Sequence, residues 1–324
     1  MQAGRLHHKK TRPSWNASVN RPRPSRKWLF FAVKLAIVAV LVWFIRGTIA
    51  DAMAQLRERP LRLAPAWLVA SGILYLLGLL PEGLFWHRVL RAVGVEAGFG
   101  ETMRAYFIGH LGKYVPGKAM VVVLRTGLIR SGRVDTGLVV ASVFLETLTM
   151  MSVGAFLAAA ILAVSFPEHL KFVALAIAMM VLAGLATLPP VFSRLARLAG
   201  VDRSNGAAAA RLAGLRYPLL AGGWAAMAVG WLLLGASLWA VLRAMGEPAT
   251  LLGQLHLDTA AVAVAVVGGF VSMIPGGLGV REAVLAALLG RQLGDPAMAL
   301  IAAAALRLVW LVAEVAISGI LYSV

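Results

Sequence analysis

Gly268-Gly-Phe-Val-Ser-Met-Ile-Pro275-Gly276-Gly277-Leu278-Gly279-Val280-Arg281-Glu282 begins as apolar helix, stops at a proline followed by glycines, and resumes with an Arg and a Glu side by side. A shorter copy lies upstream, Gly109-His-Leu-Gly-Lys-Tyr-Val-Pro116-Gly117-Lys118, and both copies read G-x5-Val/Ile-P-G. Nearly everything around them is compatible with hydrocarbon. Interrupted backbone survives at membrane depth only where protein covers it or where it lines a wet cavity. Two such breaks, one in each half of an apolar chain, are the arrangement of a transporter-like bundle.

The composition agrees. Of 324 residues, 60% are hydrophobic, far above the share in a soluble domain. Several apolar runs reach the length of about 20 residues needed to cross about 30 Å of hydrocarbon. The expected fold class is an all-α polytopic membrane protein of about six transmembrane helices plus two re-entrant broken-helix hairpins in an inverted repeat. The net charge of +17 does not call for a nucleic-acid partner, because most Lys and Arg fall in segments that a single orientation places in the cytoplasm. The chain has no cysteine, which excludes disulfides, thiolate metal sites and thiol catalysis. Its six His and few Asp form no metal-ligand cluster, and no P-loop, dinucleotide fingerprint or HExxH helix occurs. No cofactor is expected.

Residues 1–27 carry eight Lys and Arg and no acid. They read as a disordered basic cytoplasmic tail, serving as a topology determinant or contacting anionic inner-leaflet lipids. Residues 28–324 form one membrane domain, with halves 65–190 and 217–322 joined by a cytoplasmic loop, 191–216. The crossings are expected at Trp28 to Ile45, Pro65 to Trp86, Gly137 to Val164, Leu170 to Pro189, Pro218 to Leu242 and Pro296 to Leu321. The hairpins are expected within Tyr106 to Leu124 and Asp258 to Leu289. This count puts both termini in the cytoplasm, with the first hairpin entering from inside and the second from outside. Trp67 and Trp86, at crossing ends, are expected as interfacial anchors.

A helix that restarts after Pro116-Gly117 or after Pro275-Gly276-Gly277 presents N–H groups without intrahelical partners. With the positive end of the helix dipole, these suit an anion such as a lipid phosphate. Lys113, Lys118, Arg125 and Arg281 add positive charge nearby. Glu146 and Arg307 each lie in the helix after a hairpin, where an ionisable side chain is costly and calls for a partner. A Glu146–Arg307 pair and a pairing of Glu282 with Arg281 or Arg307 compete. Arg307 and Glu314, about two turns apart, share a helix face. His110 reads as a packing residue bonded to a carbonyl or as a proton relay, and Glu82 as a cavity or interfacial group.

Ile274-Pro-Gly-Gly-Leu-Gly-Val-Arg-Glu282, with Gly112-Lys-Tyr-Val-Pro-Gly-Lys118 upstream and Glu146 beyond, resembles the lysylphosphatidylglycerol synthase transmembrane family, also called the flippase-like domain family. The resemblance covers roughly residues 28–322. The PGGLGxxE segment is its most specific part, while at Glu146 the basic residue that often follows is replaced by Thr147. It implies a multi-pass protein of a prokaryotic inner membrane, and in bifunctional members a domain that moves aminoacylated phosphatidylglycerol outward. No synthase domain is expected after Tyr322, hence no aminoacyl transfer. Stand-alone relatives are associated with hopanoids and polyprenyl-linked sugars. The leading expectation is a non-enzymatic lipid translocase for an anionic, aminoacylated or polyprenyl-type lipid. Its expected site is Lys113, Pro116, Gly117, Lys118, Arg125, Glu146, Pro275, Gly276, Gly277, Arg281, Glu282 and Arg307. A scaffold for a lipid-biosynthesis enzyme and a membrane-embedded transferase are the alternatives, and homo-oligomers are compatible with all three.

Overall fold

In the computed structural model the described residues are 63–115, 119–129, 135–165, 170–198, 207–212, 214–248, 250–272 and 274–323. The basic tail, the first expected crossing, and Pro116, Gly117 and Lys118 lie outside them. The described residues form eleven α-helices. They are α1 Pro65–Ala92, α2 Phe99–His110, α3 Ala119–Leu128, α4 Thr136–Ser165, α5 Leu170–Thr187, α6 Pro189–Leu198, α7 Ala207–Leu212, α8 Tyr217–Ala244, α9 Leu251–Val271, α10 Val280–Leu293 and α11 Pro296–Ser323. Short 3-10 turns, Leu111–Tyr114 and Pro275–Gly277, follow α2 and precede α10.

Five helices are long and apolar enough to cross a membrane: α1, α4, α8, α9 and α11. This is an all-α multi-pass membrane protein. Helices α1 and α8 begin with proline in their first turn, where the missing N–H costs nothing. Lipid tails supply no hydrophobic drive between helices, so close approach at small residues holds them together. A Cβ on Gly230 of α8 would lie 2.8 Å from the Gly78 carbonyl oxygen of α1. Two turns away, Ser71 and Ser237 hydroxyls meet at 2.8 Å. A Cβ on Gly154 of α4 would lie 2.4 Å from the Trp231 ring, whose Nε1 donates to the Met150 carbonyl at 3.0 Å. Gly235 of α8 accepts Thr259 of α9 in the same way.

Several boundaries depart from expectation for identifiable reasons. Helix α1 does not stop at Trp86. It continues to Ala92, and Trp86 is fully buried rather than an interfacial anchor. Helix α5 has 18 residues, about 27 Å at 1.5 Å per residue, and is not among the five spanning candidates. The stretch expected as an extended cytoplasmic loop contains α6 and α7, with Phe192 and Ala196 buried one turn apart. The second hairpin starts earlier than Asp258. Thr250 caps α9 by accepting from Gly253 N, so the helix begins at Leu251 and its 21 residues span about 31 Å.

The first hairpin is short-armed. Helices α2 and α3 have 12 and 10 residues, about 18 and 15 Å, so neither crosses about 30 Å of hydrocarbon alone. Gly112 closes it: an added Cβ there would lie 2.6 Å from Val121 N and 2.7 Å from the Met120 carbonyl carbon. At the second break Gly276, Gly277 and Gly279 take φ values of 59°, 66° and 77°, a region open to glycine at no steric cost. The breaks meet, with a Cβ on Gly276 placed 3.1 Å from the Tyr114 ring.

Candidate functional site

Each hairpin lays an arginine of its second arm across a glycine of its first. In the first, a Cβ on Gly109 of α2 would lie 2.4 Å from Arg125 Cγ of α3. In the second, a Cβ on Gly269 of α9 would lie 2.5 Å from Arg281 Cγ, and one on Gly277 would lie 2.8 Å from Arg281 Nε. The glycines make slots in which a guanidinium is held inside the bundle. Around these arginines the structure gathers two polar clusters.

The first cluster borders the breaks. A cavity of about 40 Å³ is lined by Lys113 and Tyr114 of the first break, Gly276 of the second, Arg281 and Glu282 of α10, and Arg307 of α11. That volume holds a few waters at most. Arg307 Nη1 donates to Glu282 Oε1 in a buried ion pair, and its guanidinium lies 5.9 Å from the Tyr114 ring centre. Lys113 Nζ donates to Glu314 Oε1 and, at 3.3 Å, to Tyr75 Oη. Tyr75 Oη donates to the same Glu314 oxygen, and its ring stacks on Trp310 at 4.5 Å. Trp310 Nε1 donates to Ser237 Oγ at 2.9 Å. Arg281 is half-buried, and among the described residues no carboxylate comes within ion-pair distance of it. Its Nε, with Nε and Nη2 of Arg307, has no hydrogen-bond partner among the described residues. With their carboxylates ionised, Lys113, Arg281 and Arg307 exceed Glu282 and Glu314 by one positive charge. Helix α10 adds its N-terminus, at Gly279, with no side-chain cap.

The second cluster lies around α2, α3 and α4. Arg125 Nη1 donates to Glu146 Oε2 at 2.6 Å, both side chains being 2% exposed. The guanidinium sits over two rings, 4.2 Å from the centre of Tyr106 and 5.1 Å from that of Trp86. Trp86 Nε1 donates to Ser142 Oγ at 2.9 Å. Tyr106 Oη donates to Glu82 Oε2 at 2.6 Å. Tyr106 also stacks on His110 at 6.0 Å, and His110 Nε2 lies 3.3 Å from Tyr75 Oη. The clusters therefore adjoin through His110, whose partner is a tyrosine hydroxyl and not the expected carbonyl.

Of the expected site residues, Lys113, Gly276, Arg281, Glu282 and Arg307 line one cavity, and Gly277 packs under Arg281. Pro275 begins the second turn. Arg125 and Glu146 belong to the other cluster, away from the cavity wall. Pro116, Gly117 and Lys118 lie outside the described residues. The Glu146–Arg307 pair is not formed: each half closes its own pair, Arg125–Glu146 in the first and Glu282–Arg307 in the second. The physical reason is reach. In each half the hairpin's second arm packs against the following helix, so the nearest opposite charge is local. Arg307 and Glu314 do share a face, turned to the first break: Arg307 lies 5.9 Å from the Tyr114 ring centre and Glu314 accepts from the neighbouring Lys113.

Tyr75, Tyr106, Tyr114, Trp310 and Glu314 are the participants that sequence reasoning left out of the site. An aromatic one or two turns from an intramembrane charge was the available signal, but apolar helices are full of such spacings.

A helical membrane bundle in which two broken helices meet at a buried, net-positive polar cluster is the class these features define. The family model described as the lysylphosphatidylglycerol synthase TM region matches residues 31–318. The chain belongs to that family. Comparison with curated proteins finds no similar sequence.

Proposed function

We propose that this protein is a lipid translocase that takes an anionic headgroup into the cavity between its two broken helices. The observation that carries this reading is Arg281, a cation on the cavity wall that no carboxylate among the described residues pairs with. Taking an arginine out of water is expensive without a counter-charge. A phosphate or carboxylate of a bound lipid would supply that charge, and Arg307 Nη2, Lys113 and the N-terminus of α10 converge on the same place. Family membership supports a lipid-related role.

The cavity of about 40 Å³ is too small for a lipid headgroup, so loading requires the breaks to part. The contact of Tyr114 with Gly276 is the seam that would open, with the halves rocking about it. In this reading the hairpins are re-entrant, the halves form an inverted repeat in a prokaryotic inner membrane, and both termini are cytoplasmic. The driving force is a gradient, a downstream sink or equilibration.

Translocation is tested in proteoliposomes carrying a head-labelled phosphatidylglycerol, by the fraction of label that a membrane-impermeant quencher reaches over time. Wild-type protein should expose inner-leaflet label, and Arg281→Gln should not. Equal rates for the two, or wild-type rates no faster than empty vesicles, contradict the proposal.

A further inference from the structure

The cavity offers a ligand more than one free cation. Glu282 Oε2 has no hydrogen-bond partner among the described residues, and neither have Arg281 Nε or Arg307 Nε and Nη2. These atoms belong to three side chains that line the same space. The wall therefore sets one unpartnered acceptor beside unpartnered donors. An anionic oxygen satisfies the donors but not the acceptor, because it has only lone pairs to give. Glu282 Oε2 calls for an O–H or N–H on the ligand, next to the anionic group that the arginines take.

Charge decides between a hydroxyl and an ammonium. The pairs Lys113–Glu314 and Arg307–Glu282 cancel, and Arg281 is the surplus. The adjoining cluster changes nothing, since Arg125 and Glu146 cancel as well. Glu82 is 0% exposed. Its unpartnered Oε1 and the Gly78 carbonyl oxygen both border the position of a Cβ on Gly230, a setting that suits the neutral acid. His110 Nε2 lies 3.8 Å from a Glu314 oxygen that Lys113 already occupies, which leaves no counter-charge for an imidazolium. One negative charge on the ligand thus makes the interior neutral. An ammonium beside it would satisfy Glu282 Oε2 but bring back a surplus positive charge, at high cost inside a membrane. A hydroxyl satisfies the same oxygen and adds no charge.

We infer that the cavity selects a phosphodiester headgroup bearing neutral hydroxyls and no ammonium, with Glu282 as the residue that recognises the hydroxyl. This rests on the lipid-binding role proposed above and narrows it, because the interior charge fits a plain anionic headgroup and not an aminoacylated one. Selection by charge is switchable. Without the Arg281 charge the empty cavity is neutral and suits a zwitterionic headgroup. Without the Glu282 charge the surplus rises by one and suits a phosphomonoester.

Competition between lipids for the purified full chain, read by native mass spectrometry, tests this. Phosphatidylglycerol is offered in equal amount against phosphatidylmethanol (a monoanion without hydroxyl), phosphatidylethanolamine (a zwitterion) or phosphatidic acid (a phosphomonoester). Wild type should retain phosphatidylglycerol over each of the three, by about tenfold over phosphatidylmethanol for the lost hydrogen bond to a charge. Arg281→Gln should reverse the order in favour of phosphatidylethanolamine. Glu282→Gln should favour phosphatidic acid and no longer discriminate against phosphatidylmethanol. Equal retention of phosphatidylglycerol and phosphatidylmethanol overturns the inference while leaving the anion-binding role intact. So does an unchanged order in Arg281→Gln. Should Glu282→Gln fail to fold, the orders shown by wild type and Arg281→Gln decide the matter. Wild type that retains none of these lipids above phosphatidylcholine contradicts the proposed function, and the inference falls with it.

Discussion

Arg125 and Glu146 are each 2% exposed and satisfy one another, so removing one strands the other in a dry interior. Glu146→Ala is expected to destabilise the protein by about 3–5 kcal/mol, the usual cost of breaking a buried pair. The double variant Arg125→Met/Glu146→Leu should recover most of that loss, and melting in detergent reads both. If the single variant melts like the wild type, the pair is not a structural tie. The same reasoning divides the second half. Glu282→Ala strands Arg307 and should cost stability, whereas Arg281→Gln strands nothing and should melt normally. Its cost should appear in ligand affinity, about tenfold to a hundredfold for a lost hydrogen bond to a charge. At this scale the sequence was informative about which residues are buried and charged, because an ionisable group amid apolar neighbours needs a reason. It was silent on partners. Glu146 and Arg307 look matched in linear order, yet pairing depends on which helices pack side by side.

At the scale of elements, the hairpins rest on their glycines. Gly112→Ala would push a methyl into the backbone of Met120 and Val121, which cannot swing away. Gly109→Ala meets the flexible Arg125 side chain instead. Gly112→Ala should therefore be the more damaging, by about 1–3 kcal/mol for an overpacked site, with loss of folded yield in gel filtration. Equal behaviour of the two would contradict closure of the hairpin at Gly112. The breaks were plain in the sequence because proline and glycine act locally, through φ and a missing donor. The starts of α6 and α9 were not. Helix α9 begins seven residues before the expected boundary, at the cap made by Thr250, and a single threonine in a polar stretch carries little signal. Trp86 misled for a related reason: tryptophan at a crossing end is a common interfacial anchor, and it is the packing of α1 against α2, α3 and α4 that makes it a core residue.

Across the whole molecule, five described helices long and apolar enough to cross a membrane, together with the short-armed first hairpin, surround one net-positive centre. The absence of cysteine makes topology directly measurable, since a single introduced cysteine is the only thiol. In the proposed orientation, positions 130 and 205 label from the cytoplasmic side and position 250 from outside. External labelling at 130 would reverse the entry side of the first hairpin and remove the inverted repeat from the proposal. The bundle and its family were legible from hydropathy and from the PGGLGxxE stretch. The charge balance of the interior was not, because it depends on which cation each carboxylate finds. The most direct measurement of the central claim is mass spectrometry of the lipids that co-purify with wild-type protein and with Arg281→Gln. The account predicts an anionic lipid enriched over the bulk membrane in the wild type and lost in the variant. The same bulk phospholipid profile in both would contradict it.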